Sequence, residues 1–265
     1  ALAVGAVVLG LLAHGGAYVV NDYRAARKGA DAGNAQGIFP FTGGSRLIQQ
    51  GLVSEEDTHR WAWVLIGLVV LGGLWLSVRS GGGLVLIGLA GVLLAWAYSA
   101  PPLKLMSRGL GELSVAAAWW LVVVGADYVQ RQHWHFITAY TAVSFALLVA
   151  NILLVNGLPD APSDRAVGKR TLATRLSPRG LAVLYTGLML AAHLWLAVGV
   201  WALIPPLSAI WGLLSLPLGL VASVLLWLRA GEPQRLRPVL ALTIATASVH
   251  GLAMAAGLLS MRWTG

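Results

Sequence analysis

The sequence predicts an all-α, polytopic transmembrane helical bundle, and three observations carry that prediction. Hydrophobic residues make up 58% of the 265 residues and charged residues only 11%, a balance far more apolar than a water-soluble domain can bury. Continuous apolar runs of about 18 residues or more, long enough to cross a ~30 Å hydrocarbon core, recur along the whole chain. Within these runs polar and apolar residues do not alternate over about ten positions, as the strands of a membrane barrel would require. The many Gly and Ala residues suit helices that approach closely in lipid.

Eight spans follow, at roughly 1–20, 61–79, 82–99, 110–126, 136–156, 180–202, 206–228 and 238–260. The first closes on Asn21-Asp22, and the second lies between Arg60 and Arg79. The third ends before Pro101-Pro102, which stop a helix, and the fourth begins beyond Arg108 and reaches Asp127. The fifth starts after His133-Trp134-His135 and closes on Asn156. The sixth follows Arg179, the seventh runs up to Arg229, and the eighth follows Arg237. No second domain is expected, so residues 1–265 read as one transmembrane domain embedded in the lipid bilayer.

With eight crossings, the segments 21–60, 100–109, 157–179 and 229–237 share one side; they hold 15 of the 18 Lys and Arg residues and eight of the ten acids, Glu112 stands just inside the fourth span at the same side, and Asp127 alone lies opposite. The positive-inside rule places that side in the cytoplasm, in a bacterial inner membrane. Basic residues confined to short loops do not make a nucleic-acid surface, despite a net charge of +8, so no nucleic-acid partner is expected. The absence of cysteine excludes a disulfide framework, a thiolate metal site and a cysteine nucleophile. Lys and Arg bias explains orientation; a matching concentration of Asp needs another reason.

Two clusters hold those acids. One is Asn21-Asp22-Tyr23 with Asp31 nine residues after Asp22; the other is Asn156-Gly157-Leu158-Pro159-Asp160 with Asp164, followed by Gly168-Lys169-Arg170-Thr171-Leu172-Ala173. In a helix the i, i+4 spacing sets Asp160 and Asp164 on one face about a turn apart, where they repel unless a positive group intervenes. Hard oxygen ligands of this kind suit magnesium, which takes one or two carboxylates together with substrate phosphate oxygens. Any one Asp is equally a helix cap or a solvated loop charge, Asp31 above all. The pair of clusters, each after an Asn that ends a span and each beside Lys or Arg, suits a metal-bridged diphosphate with an apolar cavity for its tail. Tyr98-Ser99-Ala100-Pro101-Pro102-Leu103-Lys104 and Arg108-Gly109-Leu110-Gly111-Glu112 form a third segment on the same side. Its cations also read as interfacial anchors, whereas Glu112, an acid entering an apolar span, is costly without a partner or a role.

These three motifs together resemble the UbiA superfamily of intramembrane aromatic prenyltransferases over essentially the whole chain. Asn21-Asp22-Tyr23 with Gly29-Ala30-Asp31 is similar to its NDYxDxxxGxD motif, Asp160 to Asp164 with GKRTLA to its DxxxD motif, and YSAPPLKLMSRGLGE to the loop between its fourth and fifth helices. His14, Phe41-Thr42-Gly43-Gly44-Ser45-Arg46 and Gly51-Leu52-Val53-Ser54 resemble the 1,4-dihydroxy-2-naphthoate branch, which makes menaquinone precursors, with the 4-hydroxybenzoate branch as competitor. The family has nine helices, which implies that the first is absent from this sequence. Ala25 stands where the first motif has its second Asp, so one metal ligand is missing.

The resemblance implies electrophilic prenylation of an aromatic acceptor by a polyprenyl diphosphate. Asp22, Asp31, Asp160 and Asp164 would hold magnesium, with Lys104, Lys169, Arg46 and Arg170 on the diphosphate. Asn21 and Asn156 fall among the substrate-binding positions, and Tyr23 and Tyr98 would face the developing cation or the diphosphate. Glu112 would orient or deprotonate the acceptor. His14, two turns before Asn21, lines the cavity or packs between helices; His193 and His250 read as interhelical hydrogen-bonding groups. A transporter or noncatalytic binding protein is the alternative, less suited to acids clustered at a membrane edge.

Overall fold

The structure, a computed structural model, describes residues 2–28 and 37–260. Asp31 therefore lies outside the described residues. Helices α1 (Leu2–Lys28), α2 (Glu55–Ser80), α3 (Gly83–Ser99), α4 (Gly111–Arg131) and α5 (Phe136–Ala166) are followed by the short α6 (Leu172–Arg175), then α7 (Pro178–Trp201), α8 (Leu216–Arg229) and α9 (Arg237–Ser260). A 3-10 stretch, Leu207–Ser215, runs directly into α8. No strand occurs among the described residues. Seven helical segments are long and apolar enough to span a bilayer, the stretch Leu207–Arg229 counting as one, and α3 is a shorter apolar helix of 17 residues. The protein is an integral membrane bundle in which these seven segments and the shorter α3 occupy the eight expected runs.

Helix ends differ from the apolar runs in one way that matters. Both Asp clusters were expected in loops beyond their spans, yet α1 continues to Lys28 and α5 to Ala166, so Asp22, Asp160 and Asp164 stand on the final turns of long helices. Hydropathy stops where the hydrocarbon stops, whereas a helix stops where its backbone does. Arg24, Arg27 and Lys28 suit the negative end of α1's dipole, and Ala25 and Ala26 are strong helix formers. α5 even carries Pro159 and Pro162 within it. Caps fix other ends: Ser54 accepts from Asp57 N–H at 3.0 Å to open α2, and Ser177 accepts from Gly180 N–H at 3.1 Å to open α7 behind Pro178.

The largest buried cluster joins α5, α6, α7, α8 and α9 through Leu154, Leu158, Ala173, Leu181, Tyr185, Leu226 and Leu240. Small residues permit the close approaches: a Cβ on Gly199 would lie 2.2 Å from the Tyr140 ring, and one on Gly257 would lie 2.1 Å from the Ser208 carbonyl oxygen. Deeper in the bundle, His193 Nδ1 lies 2.8 Å from Met189 O and its Nε2 2.8 Å from Ser215 Oγ. His250 bridges Ser215 Oγ (3.2 Å) and Ser144 Oγ (2.9 Å). The two histidines thus link α5, α7, α9 and the 3-10 stretch, in the interhelical role expected of them.

Candidate active site

The ends of α1, α3 and α5 and the starts of α4 and α6 converge on a cavity of about 140 Å³. Asn21 and Ala25 line it from α1, Tyr98 from α3, Glu112 from α4, and Asn156, Asp160 and Asp164 from α5, with Lys169 closing the next turn. Three motifs far apart in sequence are thereby gathered at one end of the bundle, on the side expected to carry the charged loops. Helical geometry explains which members arrive. Asn21 and Ala25 are one turn apart and share a face, and Tyr23 and Arg27 share another. Accordingly Tyr23 turns to α2, its ring 4.7 Å from that of His59, with Arg27 5.8 Å from its centroid.

Asp22 is buried outside the cavity lining, and its Oδ2 accepts from Ser45 N–H at 3.3 Å while Oδ1 has no hydrogen-bond partner among the described residues. Asp160 Oδ2 accepts from Gly43 N–H at 3.4 Å. The turn that serves both carboxylates requires left-handed backbone at Gly43 and Gly44 (φ 85° and 68°), which glycine supplies without a Cβ penalty, and Gly44 lines the cavity. Asp164 is ion-paired to Lys169 at 2.7 Å, with both side chains about one-eighth exposed (12% and 13%). Lys169 thus supplies the positive group that the paired carboxylates call for.

The loops around the cavity are tied by backbone contacts that the motifs alone do not reveal. Arg170 N–H donates to Ser107 O at 3.1 Å, and Arg175 donates to Arg170 O and Arg108 O, each at 2.9 Å. Arg175, not singled out from the sequence, therefore clamps the segment after α3 to the segment after α5. Gly157 lets α6 close over α5, since a Cβ there would lie 2.9 Å from Ala173 Cβ. Leu153 also lines the cavity and carried no sequence signal, whereas Ser163, Thr171 and Met106 line it from within the motifs without having been singled out.

Other expected site residues lie outside the lining. Lys104 is exposed, with left-handed backbone at φ 46°, and Arg170 is exposed on the turn after Lys169. Arg46, also left-handed at φ 60°, directly follows Ser45. His14 sits two turns below Asn21 with its ring 5.9 Å from Trp119 of α4, beneath the cavity rather than on its wall.

Among the described residues no three His, Cys, Asp or Glu side chains come together closely enough to hold a metal ion by themselves. The donor set nevertheless suits a hard cation that shares its coordination with a ligand. Its groups are carboxylate oxygens, and Asp22 Oδ1 is buried without a partner.

Comparison with known proteins agrees with this arrangement. The UbiA prenyltransferase family profile matches residues 1–237. The chain is 28% identical over 255 residues to 1,4-dihydroxy-2-naphthoate octaprenyltransferase of Escherichia coli, covering 92% of this chain and 80% of that protein. The Mycobacterium tuberculosis protein of the same name is 30% identical over 248 residues with the same coverage of both chains, 92% and 80%. Chlorophyll synthase of rice is 32% identical over 138 residues, 48% of this chain and 35% of that protein. No solved structure matches.

Proposed function

Because the chain belongs to the UbiA prenyltransferase family, we propose that it transfers a polyprenyl group from polyprenyl diphosphate to 1,4-dihydroxy-2-naphthoate, in menaquinone biosynthesis. The name shared by relatives that align with 92% of the chain carries this choice of acceptor over 4-hydroxybenzoate. Residues 1–265 act as one membrane domain. The bias of Lys and Arg toward the site's end supports a cytoplasmic site in a bacterial inner membrane.

The Asp22, Asp160 and Asp164 carboxylates, with Asp31 beyond the described residues, would hold magnesium. Bound there, the ion neutralises charge on the departing diphosphate. Lys169 lines the cavity with two ammonium N–H donors beyond the one given to Asp164, placed for diphosphate oxygens. Tyr98 presents its ring to the cavity wall, where an aromatic face favours positive charge developing on the prenyl carbon. Asn21 and Asn156 add amide groups to the same wall. The apolar helices around it keep water from the reacting carbon. Arg46, Lys104 and Arg170 lie on the surrounding turns, where they would guide the anionic substrate toward the mouth.

Prenyl transfer in detergent or membranes, with each acceptor in turn and with magnesium or chelator, tests the reading. Magnesium-dependent product with the naphthoate, lost in Asp160→Asn, is the expected result; product from hydroxybenzoate alone would move the chain to the other branch.

A further inference from the structure

Glu112 is the most expensive residue in the cavity. It is 8% exposed, its Oε2 has no hydrogen-bond partner among the described residues, and it enters α4 at the very start of an apolar span. A buried carboxylate oxygen without a donor costs stability, and on the cavity wall a ligand that brings a hydrogen would relieve that cost. Asn156 Oδ1, across the same cavity on α5, is a second buried acceptor without a donor. A ligand satisfies both with two donors or one shared donor; a cation would do so too, but the Asp carboxylates are the set proposed above for magnesium.

The components of the proposed reaction differ sharply in this respect. A diphosphate is all acceptors at neutral pH, and a polyprenyl chain has neither donors nor acceptors. The ring hydroxyls of the aromatic acceptor are the donors in the reaction. The first turn of α4 tolerates the negative charge of Glu112 through the exposed N–H groups of the helix start. Met106 and Leu153 provide apolar wall beside these oxygens, as a flat ring requires.

Resting on the prenyltransferase reading above, we propose that Glu112 Oε2 and Asn156 Oδ1 recognise the hydroxyl groups of the aromatic acceptor and so set which ring is accepted and which way it faces. A hydroxyl donating to Glu112 also holds electron density on the ring, favouring attack from the adjacent carbon. Repulsion drives an anionic ring substituent away from Glu112.

The test compares wild type, Glu112→Gln, Glu112→Leu and Asn156→Leu in detergent. Acceptors are 1,4-dihydroxy-2-naphthoate and the two naphthoates lacking one hydroxyl or the other, with saturating polyprenyl diphosphate and magnesium. In Glu112→Leu the KM for the dihydroxy acceptor should rise on the order of tenfold to a hundredfold, the range for a hydrogen bond to a charged group. The KM for the diphosphate and the magnesium dependence should stay as in wild type. The leucine variant should also stop distinguishing the dihydroxy ring from one of the monohydroxy rings, Glu112→Gln should keep part of that discrimination, and Asn156→Leu should lose it for the other hydroxyl. Ligand-free Glu112→Leu should melt no lower than wild type, because an unpaired buried charge has gone; a purely structural role predicts a lower melting temperature. Unchanged discrimination in an active Glu112→Leu, or a shift in magnesium dependence instead, overturns the assignment and leaves the function standing. A wild-type protein inactive toward every ring overturns both.

Discussion

Asp22 on α1 and Asp160 on α5 are held by the same short turn, Ser45 N–H donating to the first at 3.3 Å and Gly43 N–H to the second at 3.4 Å. The backbone amides of one turn therefore join Asp160, on the cavity wall, to Asp22, which is buried outside the lining. Gly44 lies between those amides at φ 68°, where alanine is strained by about 1 kcal/mol. Gly44→Ala should cut turnover on the order of tenfold or more, since small misplacements of reacting groups are costly. The melting temperature should fall by only a few degrees, roughly as ~1 kcal/mol predicts. Equal turnover would show that the turn does not position the carboxylates.

Lys169→Met removes the ion-pair partner of the Asp164 carboxylate in a poorly exposed setting. Stability measured in chelator should drop by about 1–3 kcal/mol, the cost of leaving a polar partner unsatisfied. Adding Asp164→Asn should restore most of that loss without restoring prenyl transfer. Thermal unfolding of the two variants side by side is the check; identical melting would reduce the pair to a screened surface contact.

Ala25 is buried and lines the cavity one turn after Asn21, so an aspartate there would enter the same space as Asp160. Ala25→Asp should lower the magnesium concentration needed for half-maximal transfer and enlarge the melting shift on adding magnesium. It should melt lower in chelator, because another carboxylate has joined Asp22 and Asp160. A magnesium titration that does not move would show that the lost ligand is supplied from elsewhere.

His250 is fully buried between Ser144 and Ser215. His250→Leu leaves both hydroxyls without that partner and should cost about 1–3 kcal/mol. The KM values should not change, because the histidine lies deep in the bundle and off the cavity lining. Thermal unfolding and steady-state kinetics on one preparation separate the two effects; a raised KM would place the network in substrate binding.

The long apolar runs made the helices legible, because in a bilayer every backbone group must be satisfied within its own helix. The Asp160 and Asp164 face was legible for the same reason, as i, i+4 spacing has a fixed meaning once the segment is helical. Tyr23 shows where the reading stopped. Taken as loop, it stood beside Asp22; taken as helix, it faces about 100° away, against His59. The Gly43 and Ser45 contacts, the Arg175 clamp and the unpartnered oxygens of Glu112 and Asn156 depend on how distant segments meet, and no local pattern encodes that.

Pro159 and Pro162 lie inside α5 on either side of Asp160. Each ring fixes its own φ and removes an N–H from the helix. The carbonyls of Val155 and Leu158, one turn earlier, thereby lose their helical donors, so the backbone just before Asp160 is an interior stretch of α5 that must find hydrogen bonds outside the helix ladder.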